Sequence, residues 1–263
     1  MDSLNAQACI PSKGSSCAKP NFDALEDVMA LAEELIKNPR KFFIGGEWTD
    51  PSTDSLIEVI SPSSEEKFVH VAEAQEGHMK RAIAAARDAF DNGPWPRMSH
   101  AERADYLIKI ARKLEEKAPQ FSGVWTGQIG TPSAFTSFVT PLASFHFDYY
   151  AGLADTFPFV ERHEALHSPG SAIGLYAHEP VGVVGAIVPW NGPLGLLAVK
   201  IAPALIAGCT VILKNSPQTP GEGLIFAEVC EEIALPKGVV NVVTADREVS
   251  ELLVRSPLVD KNT

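Results

Sequence analysis

Beyond residue 180 the chain alternates short, almost uninterrupted apolar stretches with helical patterns: Val183 to Val188, Leu194 to Ala207, Thr210 to Lys214, Pro220 to Ile233, Val239 to Val243 and Glu248 to Val254. The order is βαβαβα. Strands that are apolar on both faces belong in a parallel sheet covered by helices on both sides, so the pattern predicts an α/β fold. Such sheets bind ligands in the crevice outside the carboxyl ends of their strands. Here those ends are Pro189-Trp190-Asn191, Lys214-Asn215-Ser216 and Thr244-Ala245-Asp246. Thr219, Pro220 and Glu222 are spaced as the N-cap, first-turn proline and capping-box acid of the next helix. That arrangement would set Lys214 on a strand end facing a helix N-terminus.

Within this region Val181 to Val199 runs for 19 residues without a charge. Gly182, Gly185, Gly192 and Gly195, with Pro189 and Pro193 around Trp190, make it a buried strand, a tight turn and a helix start rather than a membrane span. Apolar residues at 45% exclude wholesale disorder, and a formal charge of −11 without a local basic cluster argues against a nucleic-acid surface. The 4 cysteines, none in a CxxC pair, form neither a disulfide framework nor a zinc ribbon. With no apolar run in the first 20 residues, a cytoplasmic protein without a signal peptide is expected.

Upstream, residues 1 to 20 read as a polar tail. Asp23 to Lys37 reads as an amphipathic helix with Leu25, Val28, Ala32, Leu35 and Ile36 on one face. Phe42 to Trp48 and Leu56 to Ile60, separated by Asp50-Pro51-Ser52, suggest a strand pair. Helices are expected over Gln75 to Phe90, and again after a capping box at Ser99 and Glu102, the second burying Ala104, Leu107, Ile108, Ala111 and Leu114. Residues 121 to 150 show no clean period, although Phe145, Phe147, Tyr149 and Tyr150 promise burial.

Several constellations carry chemistry. His163-Glu164-Ala165-Leu166-His167 fits the HExxH pattern of a zinc metallopeptidase, in which two imidazoles one helical turn apart hold the metal. Ile173 replaces the third histidine of the longer motif, and Ser168-Pro169-Gly170 leaves no helix beyond His167, which favours an exposed loop. Gly221-Glu222-Gly223 begins a dinucleotide fingerprint but meets Phe226 at the last glycine, so a dinucleotide would have to bind differently. Asn191 could present an amide donor to a developing oxyanion. Local chemistry alone favours Asn191 as a cap for the helix beginning near Leu194. Cys209 and Cys230 sit in apolar surroundings and read as core rather than as nucleophiles, while Cys9 and Cys17 fall in the tail.

Pro189-Trp190-Asn191-Gly192-Pro193-Leu194, then Lys200 with Ala202-Pro203-Ala204-Leu205, then Gly208, Val211-Ile212-Leu213-Lys214 and Gln218-Thr219-Pro220 resemble the aldehyde dehydrogenases. The likeness continues through Leu235-Pro236-Lys237-Gly238-Val239-Val240-Asn241-Val242-Val243 and Val259-Asp260-Lys261. Upstream it includes Phe43-Ile44-Gly45-Gly46-Glu47-Trp48, Tyr149-Tyr150-Ala151-Gly152 and His178-Glu179-Pro180-Val181-Gly182, with order and spacing kept.

The resemblance implies an N-terminal extension over residues 1–38 and a Rossmann-like cofactor-binding domain over 39–157 and 179–263, with a helical and strand region at its start. It places a β oligomerisation arm over 158–178, which leaves no zinc helix at His163. It implies oxidation of a small-molecule aldehyde to a carboxylic acid with NAD or NADP through a covalent thioester, in a homo-oligomer (a dimer or tetramer) with no nucleic-acid or membrane partner. At the matching positions, Lys214 would meet the adenosine ribose or phosphate with Ser216 and Pro217 beside it. Ile187, Val188, Pro189 and Trp190 would line the cofactor cleft, and Asn191 would serve the oxyanion.

In the family the nucleophilic Cys and the general-base Glu lie beyond the matched region. The catalytic domain is therefore expected to be missing from these residues and the chain alone to be silent. Pro217 stands where many NAD-preferring members carry Glu, so NADP would be accepted unless a neighbouring acid such as Glu222 or Asp246 reaches the same place. The alternative is a non-catalytic remnant that binds a cofactor or a partner.

Overall fold

The structure is a computed structural model that describes residue 32 and residues 34–164 and 173–263. The expected tail and most of the first helix lie outside the described residues; at that helix's end Ala32 and Ile36 are buried. In chain order come two hairpins, β1 (Phe42–Ile44) with β2 (Glu47–Thr49) and β3 (Leu56–Ser61) with β4 (Glu66–Ala72). Helices α1 (Glu76–Asp91), α2 (His100–Glu116), α3 (Ala118–Ile129), α4 (Ser133–Val139) and α5 (Leu142–Thr156) follow, then a hairpin of β5 (Val160–Glu164) and β6 (Ile173–Ala177). The alternating region forms β7 (Val183–Ile187), α6 (Pro193–Ala207), β8 (Thr210–Asn215), α7 (Gly221–Glu232), β9 (Val240–Thr244), α8 (Arg247–Arg255) and β10 (Lys261–Asn262).

β7, β8 and β9 pair in parallel, Val184 beside Val211 and Val211 beside Val240, and β10 adds in parallel to the free side of β7. The sheet order is β10-β7-β8-β9-β1-β2. Because side chains alternate along a strand, Val184, Ala186, Val211, Leu213 and Val242 face a core built with α6 and α7, backed by α2, α3 and α5. Val183, Ile212 and Val243 face the opposite core with α1 and Leu253 of α8. Both faces are covered, as continuous apolar strands require.

Four local expectations are corrected. Phe42 to Trp48 is a hairpin of its own, because Gly45 and Gly46 take φ of 66° and 81°, the left-handed pair that a two-residue turn needs. β1 then joins β9 antiparallel, Phe43 beside Val242, so the sheet is mixed. Leu56–Ser61 pairs instead with Glu66–Ala72, a strand whose charged outer positions hid it from the apolar pattern. The capping box at Thr219 does not form. α7 starts one residue later with no side-chain cap, and its Gly221 N–H donates instead to Gln128 Oε1 of α3 at 2.9 Å.

Residues 121 to 150 are largely helical. Phe147 is buried, but Phe145 and Tyr149 are 64% and 55% exposed, since positions two apart fall on opposite sides of a helix. Ile108 is likewise only half-buried, its neighbour Ile110 taking the core position. Among the described residues no helix is long and apolar enough to cross a membrane.

Gly221 and Gly223 serve packing. A Cβ at Gly221 would strike Val124 of α3, and one at Gly223 would strike the Asn215 side chain at the end of β8. Asn215 Nδ2 in turn donates to Pro220 O at 3.4 Å, closing the α7 start onto the strand end. Gly223→Ala is therefore expected to cost about 1–3 kcal/mol by overpacking, with part recovered in the Gly223→Ala/Asn215→Ala double variant. Denaturant melts measure both, and an unchanged single variant would refute the close fit.

Candidate functional site

The β8 alternation that buries Leu213 on one face sends Lys214 to the other, toward α8, and the parallel register sets Ile187 of β7 beside it. Two residues on, Ser216 continues that face, and Pro217 and Gln218 turn the chain toward α7. Together with Ala245, Asp246 and the inward side of α8 they enclose a cleft of about 930 Å³ at the carboxyl ends of β7, β8 and β9. Four residues expected at a cofactor, Ile187, Lys214, Ser216 and Pro217, thus line one cavity.

Lys214 is half-buried, and burial draws its ammonium below the usual lysine range while the nearby Asp246 carboxylate acts the other way. Asp246 is the N-cap of α8, its Oδ1 accepting from Val249 N–H at 2.9 Å. Ser216 Oγ donates to Gln218 Oε1. Glu222, weighed as a ribose partner, is not in this cleft. It is fully buried and accepts from Gln128 Nε2 at 2.8 Å, and burial pushes its carboxyl up to about 8.

Val188 does not reach the cleft. Strand alternation turns it into the α6 core, where it is 3% exposed. Pro189 and Asn191 are exposed. Asn191 is not the cap of α6, which starts at Gly192 without a side-chain cap, so its amide is uncommitted to the helix. Trp190, 55% exposed, lines a second cavity of about 520 Å³ with β3, Gln128 and Ile129. Pro217 and Gln218 border both cavities, so one short loop separates them.

His163 lies in β5, its Nε2 3.4 Å from Glu161 Oε2. The extended strand overturns the zinc-helix reading, which needs two imidazoles one helical turn apart. His167, Cys9 and Cys17 lie outside the described residues. Cys209 and Cys230 are buried, and desolvation raises both thiols, so neither offers a thiolate. The wall contributed by α8, with Arg247, Glu248 and Glu251, escaped the sequence reading. Its only signal was a polar helical face directly after a strand end.

Residues 48–263 match the description "Aldehyde dehydrogenase family". The chain belongs to the aldehyde dehydrogenase family. It is 41% identical to aldehyde dehydrogenase 1 of Tanacetum cinerariifolium, over 77% of this chain and 40% of that protein. It is 38% identical to the geranial dehydrogenase of Castellaniella defragrans, over 83% of this chain and 45% of that one. Among solved structures, the Mycobacterium tuberculosis aldehyde dehydrogenase complexed with NAD+ superposes with a TM-score of 0.79 at 38% identity, covering 86% of this chain and 46% of that one. The NAD-dependent aldehyde dehydrogenase of Sinorhizobium meliloti superposes at 0.83 with 32% identity, covering 93% and 46%. The chain thus spans less than half the length of these aldehyde dehydrogenases.

Glu222 is neutral in the folded chain up to about pH 8 but ionises near the ordinary glutamate value of 4.5 when unfolded. Between those values the unfolded state has released a proton that the folded state keeps, so stability falls as pH rises, by up to about 1.4 kcal/mol per unit from this group. Glu222→Gln removes that slope. Its stability relative to wild type should climb across this window and level off above it; chemical denaturation at several pH values reads this, and a pH-independent difference would refute it.

Proposed function

We propose that this chain is the dinucleotide-binding portion of an enzyme that oxidises an aldehyde to a carboxylic acid with NAD or NADP. The observation that carries the reading is the cleft at the strand ends, where a half-buried Lys214 has no ion-pair partner among the described residues. An ammonium so placed suits the oxygens of a ribose or phosphate, and the hydroxyl of Ser216 and the apolar side of Ile187 suit the rest of a nucleoside. When bound, the nicotinamide supplies the hydride acceptor.

The chain's own residues orient that group and prepare the carbonyl. Lys214, Ser216 and Pro217 hold the adenosine half, and Ile187, Pro189 and Trp190 border the path toward the α6 N-terminus. Asn191 donates its amide to the oxygen that gains negative charge as the aldehyde is attacked, an interaction that strengthens in the transition state. The attacking thiolate and the water-activating carboxylate come from residues other than Cys209, Cys230 and Glu222. The two thiols are buried away from Asn191 at the start of β8 and inside α7, and Glu222 is turned into the core. The names of the relatives support an aldehyde as substrate.

The domain division follows the same reading: residues 39–157 and 179–263 form the cofactor domain, and 158–178 the arm. In the β5/β6 hairpin Val160, Ile173, Leu175 and Tyr176 are each more than half exposed, which favours an arm that packs on a second copy in a dimer or tetramer.

Titrating the chain with NADH and NADPH by fluorescence tests the central claim. Saturable binding is expected, with Lys214→Met raising both dissociation constants about tenfold or more, an effect of about 1.4 kcal/mol, and leaving the melt in place. Absence of binding to either dinucleotide would refute the reading. Alkylation mapped by mass spectrometry provides a second test: Cys209 and Cys230 should react only on unfolding, and rapid native labelling of either would restore it as a candidate nucleophile.

A further inference from the structure

Lys214 and Asp246 line the same cleft from the ends of β8 and β9, yet the ammonium and the carboxylate do not touch as an ion pair. Among the described residues, Asp246 is the charged group near enough to hold the Lys214 ammonium's pKa up against the effect of burial. Only one Asp246 oxygen is committed, Oδ1 to the Val249 N–H; Oδ2 makes no hydrogen bond among the described residues. A cation and a carboxylate thus flank a gap in a cavity, and a vicinal diol suits it. The diol oxygens accept from the ammonium, and a hydroxyl proton is donated to the carboxylate.

A phosphate in place of one hydroxyl brings a charge of about −1.5 to −2 and little capacity to donate. It would face Asp246 with like charge and no shared proton. Resting on the cofactor reading above, we infer that Asp246 makes this chain select a dinucleotide with a free ribose 2′-hydroxyl, NAD over NADP. Pro217, on the neighbouring loop of the same cleft, offers neither a charge nor a hydrogen-bond donor. Glu222 cannot make that selection from the core. Glu251 is engaged with Arg255 at 2.5 Å, and Arg247 and Glu248, which also line the cleft, are exposed where Asp246 is half-buried.

The test is the pair of dissociation constants for NADH and NADPH, measured by fluorescence on the full chain. Wild type is expected to bind NADH about tenfold or more tightly than NADPH, and Asp246→Asn to bring the two within about threefold by gaining NADPH affinity. Asparagine keeps the side-chain oxygen that caps α8, and Asp246→Ser, also a capping residue, is the second variant should the first fold poorly. Glu116→Gln, at the end of α2 and outside the cleft, should leave the ratio unchanged. Equal affinities in wild type, a preference that survives both Asp246 variants, or an NADPH preference abolished by Arg247→Gln would each overturn the assignment while leaving the cofactor reading intact. Failure of wild type to bind either dinucleotide would remove that reading and this inference together.

Discussion

The parallel ladder from β7 through β9 is the constraint on which the rest of the molecule depends. Pairing Ile187 with Lys214 and Lys214 with Val243 brings three strand ends to one level. Alternation along the same strands then decides which side chains enter the cleft and which enter the core. Ile187 and Lys214 emerge together on the α8 side, and the adjacent Val188 is committed to the α6 core. A slip of one residue in β8 would exchange these roles, turning Lys214 toward the α6 core and Leu213 or Asn215 toward the cleft. The ladder also fixes Asn215 against Gly223, so the loop from Ser216 to Pro220 that separates the two cavities is held tightly at both ends.

Burial sorts the acids near this loop into different chemical roles. Glu222 and Asp246 both lie next to strand ends and both follow a turn. Glu222 is enclosed by α3 and held by Gln128, with no cation among the described residues to offset its charge, so the proton stays on and the side chain acts as a neutral hydrogen-bonding group. Asp246 is half-buried at the cleft, caps α8 through Oδ1 and lines the same cavity as Lys214. A carboxylate is thus available to a ligand at one position and withheld at the other, although the two look alike in sequence.

The apolar surface follows the same logic of geometry over composition. α5 carries Phe145, Phe147, Tyr149 and Tyr150 within six residues, and only the ring whose direction coincides with the core, Phe147, is fully buried against Phe226. Phe145 and Tyr149, one turn apart, form an exposed stacked pair with ring centroids 6.5 Å apart. Aromatic content suggested a buried segment, but helical phase allotted the burial.

The sequence by itself determined what depends on neighbours along the chain. The alternation of apolar strands and helices after residue 180 established the α/β class, the ends of those strands marked Lys214, Ser216 and Asp246 as cleft candidates, and Ser99 with Glu102 announced its capping box. These signals are legible because strand alternation, capping and helix periodicity are local properties. Only the tertiary structure decided what depends on contacts far apart in sequence. Gln128, 93 residues before Gly221, displaced the Thr219 cap by supplying the acceptor from another helix. The antiparallel entry of β1 beside β9 made the sheet mixed, and the choice between Glu222 and Asp246 followed from which of them α3 covers. Long-range packing sets solvent access, and solvent access sets both the charge a group carries and the ligand it can meet.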